Sequence, residues 1–217
     1  MTPKYYDLSP LISNKISVFP GDTPFKLTTN LSFENKDNLK LSDFKSTLHL
    51  GSHADAPNHY HREGCDIASR SLDYYIGDAQ VIDVSDCFQL EGSDEKTITP
   101  SMIEKKEIQA TRVLFKTKTF EDPDTWKNDF AHFHPETIEY LSGKKVITVG
   151  IDTPSIDAAT SKDLLSHGKI YQFDMAILEG LVLSDVPEGV YQLVALPLKI
   201  KEADASPVRC ILIRQDS

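Results

Sequence analysis

The chain has 217 residues, 40% of them hydrophobic, with 10 Gly and 12 Pro, a composition that suits a folded domain with a sizeable core and argues against a disordered or fibrous chain. Its formal net charge of −10 and pI near 5.1 oppose phosphate backbones and anionic lipid, so neither nucleic acid nor a membrane surface is expected as a partner. Cys65, Cys87 and Cys210 are odd in number and lack CxxC spacing, which speaks against a disulfide framework or a thiolate metal site and suits a reducing cytoplasm.

No window approaches the roughly 18 apolar residues of a membrane span, and the N-terminal stretch has no continuous apolar run. A soluble, unprocessed, cytoplasmic protein is expected, with residues 1–217 as a single domain because no repeat, low-complexity tract or linker interrupts them.

In chain order, Phe25, Leu27, Leu31 and Phe33 recur at period two and predict a half-buried strand over 25–33. Further strands are expected at 79–84, 112–117, 145–152, 191–200 and 208–214, several apolar on both faces like covered central strands. Thr99 followed by Pro100 opens a predicted helix over 100–109, Pro135 opens another that stops at Gly143, and a shorter one is expected at 161–167. Strands outnumber helices, so the expected fold class is a mixed, β-rich α/β domain.

Between the first two groups of strands, LHLGSHADAPNHYH (48–61) holds four of the seven histidines, where an even spread gives about 0.45. If 47–55 run extended, His49, Gly51, His53 and Asp55 share one face while Leu48, Leu50 and Ala54 take the other. Two imidazoles and a carboxylate on one face form an N/O ligand set for Zn²⁺, Mn²⁺ or Fe²⁺. Gly51 would leave space above the strand. Pro57 should turn the chain and swing His59 out of alternation, where a free imidazole suits proton transfer. His61, His132 and His134 read as ordinary structural histidines, with the role of His61 left open. GxSxG, HExxH, GxxxxGK[ST] and GxGxxG are all absent.

The segment HLGSHADAPNH resembles the HxGTHxDxPxH signature of the metal-dependent cyclase family, best known for bacterial kynurenine formamidases. YDLSPLISNKISVFPGDTPF, SLDYYIGDAQVIDVS, GIDTPSID (150–157), His167 and LEGL (178–181) are similar to further family elements in the same order. The resemblance implies a swivelling β/β/α fold and two divalent ions, most simply Zn²⁺ with Mn²⁺ or Fe²⁺ as alternatives. It places His49, His53 and Asp55 on one ion, shares Asp55 with a second, and adds His167 and Glu179. His59 takes the proton-transfer position. Phe19 stands where the formamidases usually carry a substrate-contacting Trp, Ser52 where Thr is usual, and Asn58 where an apolar residue is common. The implied activity is hydrolysis of a small aryl amide, N-formyl-L-kynurenine to L-kynurenine and formate in tryptophan degradation, by a homodimer. Isatin hydrolase-like cleavage of another cyclic or aryl amide, and a non-catalytic metal- or ligand-binding role, are the alternatives.

Overall fold

The computed structural model describes residues 5–88 and 96–214. In chain order its strands are β1 (Tyr5–Asp7), β2 (Lys26–Leu31), β3 (Leu41–Lys45), β4 (His53–Asp55), β5 (Ile76–Asp83), β6 (Thr97–Ile98), β7 (Arg112–Lys116), β8 (His132–Phe133), β9 (Thr148–Ile151), β10 (Ala176–Glu179), β11 (Gly189–Val194), β12 (Ala205–Pro207) and β13 (Ile211–Ile213). The α-helices are α1 (Pro57–Tyr60), α2 (Pro100–Ile103), α3 (Pro135–Gly143) and α4 (Leu165–Gln172).

Nine strands join in one sheet, in the order β1-β13-β11-β5-β7-β9-β10-β4-β12. Its centre, β5-β7-β9-β10, is parallel, and antiparallel strands extend it on both sides. This is the β-rich mixed α/β class expected from the sequence. Alternation along β7 divides the core in two: Leu114 packs with Tyr75, Leu178 and Leu193 on one face. Val113 and Phe115 pack on the other with Ile138 and Leu141 of α3 and Ile170 of α4. Strands covered on both faces need no polar alternation, which is why these segments read as continuous apolar runs.

Several expected elements change extent for physical reasons. The 25–33 strand is β2, but it pairs only with β3 in a separate ribbon. Its Leu27 is therefore not half-buried in a core but 51% exposed, and Phe33, which the strand stops short of at Leu31, is 65% exposed in a 3-10 turn. The helix begun at Pro100 stops at Ile103, because the Glu104, Lys105, Lys106, Glu107 run that follows offers no face to bury. The third helix starts four residues late. Leu164 takes a left-handed conformation (φ 46°), and the helix then continues through Gly168 to Gln172. Strand 191–200 ends at Val194, short of Pro197, which has no N–H to give a ladder.

Candidate metal centre

The register of β10 against β4 sets Glu179 directly across from His53 and Ile177 across from Asp55. Opposed residues of an antiparallel pair share a face, so His53, Asp55 and Glu179 all project toward the α3/α4 side. All three are buried. His53 Nε2 lies 3.2 Å from Glu179 Oε2 and 3.4 Å from Asp55 Oδ1.

His49 reaches this cluster by a different route from the expected one. The chain is not extended over 47–55: β4 begins only at His53, and Gly51 bends the backbone at φ +57°. A β-carbon on Gly51 would come within 3.1 Å of the Pro10 ring, so the glycine serves the bend and the packing against Pro10. The bend still delivers His49 Nδ1 to 3.0 Å from Asp55 Oδ1. Ser52 braces it, its hydroxyl lying 2.8 Å from the carbonyls of both Leu8 and Gly180.

His167 arrives from α4, 3.3 Å from Asp55 Oδ2 and 3.7 Å from Glu179 Oε1. Asp55 thus turns one oxygen to His49 and His53 and the other to His167. Glu179 touches both sides too, its Oε1 also accepting the Ile156 N–H at 2.7 Å.

Each imidazole is oriented by its outer nitrogen. His167 Nδ1 donates to Asp157 at 2.6 Å, and the same carboxylate accepts the Ser166 and His167 backbone N–H groups in the first turn of α4. His53 Nδ1 donates to the Gly51 carbonyl at 2.9 Å, and His49 Nε2 faces Asp204 at 3.3 Å. Such partners leave one nitrogen of each ring free to bind an ion. Burial opposes charge on His49, yet Asp55 and Asp204 overcome it and push its pKa up to about 11. Burial likewise opposes charge on His167, but Asp157 and Asp55 carry it up to about 10. Asp55, despite its burial, is held well below the carboxylate range by His49 and His167.

The donor set fits a divalent ion. His53 Nε2 and Asp55 Oδ1 are buried without a hydrogen-bond partner among the described residues. Donor atoms of His53, Asp55 and Glu179 fall within 4.8 Å of one another, as do those of His49, Asp55 and His59. Neutral imidazole and carboxylate suit Zn²⁺, Mn²⁺ and Fe²⁺ alike.

His59 comes from α1, where Pro57 occupies the first turn and does turn the chain. Its ring centroid is 4.2 Å from that of His49, its side chain is 33% exposed, and its Nδ1 is 3.7 Å from Asp204. Burial is the main influence on it and holds its pKa below the ordinary histidine value. His61 points away, stacked on Tyr171 of α4 with centroids 3.6 Å apart. His132 contacts Thr97, and His134 caps α3.

Above the centre opens a cavity of about 260 Å³, with His53, His167 and Glu179 at its floor and Phe19, Phe120 and Trp126 on its wall. Phe19, expected to meet substrate, does line it. Asp157, Asp204 and Trp126 escaped the sequence reading. Asp157 stood inside the GIDTPSID motif, and Trp126 is the chain's only tryptophan, but no local pattern marks Asp204, which comes in with the β12–β4 pairing.

A β-rich fold that brings three imidazoles and two carboxylates, all buried but the partly exposed His49, under an apolar-walled cavity defines a protein with the ligand set for a divalent cation beside room for a small substrate. The chain belongs to the cyclase family: the family model described as "Putative cyclase" matches residues 6–158. It is 40% identical over 210 residues to a kynurenine formamidase of Bordetella petrii, covering 96% of this chain and 97% of that protein. A solved structure described as a potential metal-dependent hydrolase with cyclase activity superposes with a TM-score of 0.84 at 29% identity, covering 100% of both chains. An isatin hydrolase bound to thioisatinate shares the fold, with a TM-score of 0.82 at 19% identity over 99% of this chain and 93% of that one.

Proposed function

We propose that this chain is a divalent-metal-dependent amide hydrolase that cleaves N-formyl-L-kynurenine to L-kynurenine and formate. The observation that carries the reading is the convergence of His49, His53, Asp55, His167 and Glu179 beneath an aromatic-walled cavity, in a chain 40% identical to a kynurenine formamidase. These five are the proposed ligands of two ions, with Asp55 shared between them, and Zn²⁺ is the first candidate. When bound there, divalent cations would polarise an amide carbonyl and favour ionisation of water near neutral pH.

The chain's own groups do the rest. Asp157, the Gly51 carbonyl and Asp204 fix the three imidazoles, so the donor atoms need little rearrangement. His59 stands at the cavity mouth, and its lowered pKa keeps it neutral near pH 7. It takes a proton as water adds to the formyl carbon and returns that proton to the aryl nitrogen as the C–N bond breaks, releasing the free amine and formic acid, which gives its remaining acidic proton to solvent to become formate. Groups in this role contribute roughly 10²–10⁴-fold. Phe19 contacts the aryl ring.

The homodimer is part of the same proposal. Leu27 and Phe44, directly opposed across the β2–β3 ribbon, leave an apolar patch, each more than half exposed, that a second copy would cover. The sheet that runs from β1 to β13 supports reading 1–217 as one domain, with 1–4, 89–95 and 215–217 outside the described residues. The free cysteines suit the proposed cytoplasmic location. No described helix is long and apolar enough to cross a membrane.

The reading is tested by turnover of N-formyl-L-kynurenine against isatin with metal-supplemented protein. Preference for the formamide supports it. Preference for isatin would replace the substrate, and turnover of neither would refute a hydrolase of this kind.

A further inference from the structure

The wall of the cavity facing the centre is built around Trp126, in the segment that links β7 to β8. Its indole meets three other rings edge to face: Phe19 at 5.0 Å, and Phe120 and Phe130 at 6.0 Å each. The indole N–H is donated to Asn128 Oδ1 at 2.7 Å. The ring therefore has no donor left for a ligand and presents hydrocarbon to the cavity.

Its segment is tied down at both ends. The buried Asp152 carboxylate accepts the backbone N–H groups of Thr117 and Lys118 at 2.8 and 2.9 Å and the Thr117 hydroxyl at 2.5 Å. The Thr119 hydroxyl accepts the Ala131 N–H at 2.8 Å. Between these anchors the Pro123 carbonyl accepts both the N–H and the hydroxyl of Ser17, each at 2.8 Å. That pair of bonds joins the Trp126 segment to the irregular residues that lead into Phe19. Both rings are thus positioned before any ligand arrives, so little ordering is required on binding.

We propose that Trp126 is the specificity-determining residue that selects an aryl over an alkyl amide, by packing against the substrate's ring while the amide faces the His and carboxylate floor. The proposal rests on the amide-hydrolase reading above and names the group that sets its substrate class. A fixed, edge-clamped indole favours a flat arene through offset or edge-on contact, and does so before and during bond cleavage alike. Its loss should therefore raise KM with kcat nearly unchanged.

The test uses metal-loaded protein, with formanilide as aryl substrate. Trp126→Ala is expected to raise KM for formanilide roughly ten-fold with kcat within about three-fold, and Trp126→Phe to restore most of the affinity. Because Trp126 is the only tryptophan, the wild-type protein's intrinsic fluorescence reports its environment without labelling. Benzamide, an unreactive aryl amide, should change that emission saturably, whereas acetamide should not. An unchanged KM in Trp126→Ala, with wild-type turnover intact, would overturn the proposal and leave the hydrolase reading standing. Absence of wild-type turnover on both formanilide and N-formyl-L-kynurenine would instead strike the hydrolase reading. In that event the benzamide titration still decides whether Trp126 binds arenes, and a flat emission response would overturn the proposal as well.

Discussion

Removal and return of the metal should move protons, and their number follows from the centre's electrostatics. Without an ion, the charge that balances Asp55 and its neighbours is carried by protons on His49 and His167, whose pKa values stand at about 11 and about 10. Both lie above pH 8, so each ring is mainly protonated there, whereas an ordinary histidine would be about 3% protonated. An ion needs the lone pairs of His49 Nδ1 and His167 Nε2, the nitrogens that face Asp55, so both must deprotonate. Zinc binding to chelator-treated protein at pH 8 should therefore release about two protons per site, and any ionisation of water on the ion can only add to this. Calorimetric titration in buffers of different ionisation enthalpy reads the number directly as a slope. His167→Asn should lower that slope by about one. A wild-type slope near zero would mean that the imidazoles are neutral in the ion-free protein, and the charge balance drawn around Asp55 would be wrong.

Other consequences follow from single residues. His59→Asn should keep its metal and its fold while losing roughly 10²–10⁴ in kcat; loss of metal by elemental analysis would make His59 a ligand instead. A β-carbon on Gly64 would fall 2.2 Å from the Pro57 backbone, so Gly64→Ala should push α1 and His59 out of place, costing about 1–3 kcal/mol in urea unfolding and lowering kcat without releasing metal. Asp152 has its pKa raised by burial from 3.8 to about 6, so the folded state holds this proton more tightly than the unfolded state. Stability from it is present below pH 4 and is lost as pH rises to 6. The window of 6 minus 3.8, about 2.2 units, corresponds to about 3 kcal/mol at most. Thermal or urea unfolding of the wild type should show that decline relative to Asp152→Asn, and parallel curves would refute the assignment.

The histidine cluster was legible because His49, His53 and Asp55 lie close in sequence and their chemistry is narrow. Their backbone differs in one respect from the extended strand expected over 47–55. A uniform strand from 47 needs every residue extended, and the left-handed Gly51 forbids it. His167 and Glu179 could be named only through family resemblance, since what brings them in is the β10–β4 register and the Asp157 bond to α4, both long-range. Asp204 and Trp126 were missed for the same reason: each sits in an irregular connection whose position is set by distant partners. Periodicity found the 25–33 strand but could not reveal that its partner is a lone second strand, which leaves Leu27 in solvent. Helix 135–143 matched its expected bounds because both of its ends are encoded locally, by Pro135 and Gly143.

The most direct measurement on the central claim is metal content and N-formyl-L-kynurenine turnover, taken together, for wild type and Asp55→Ala. Asp55 supplies an oxygen to each side of the centre, so its loss should lower bound metal and abolish turnover, while His61→Ala, whose ring stacks on Tyr171, should retain both. An Asp55→Ala protein that is folded, keeps its full complement of metal and still hydrolyses the formamide would contradict a metal centre organised around Asp55.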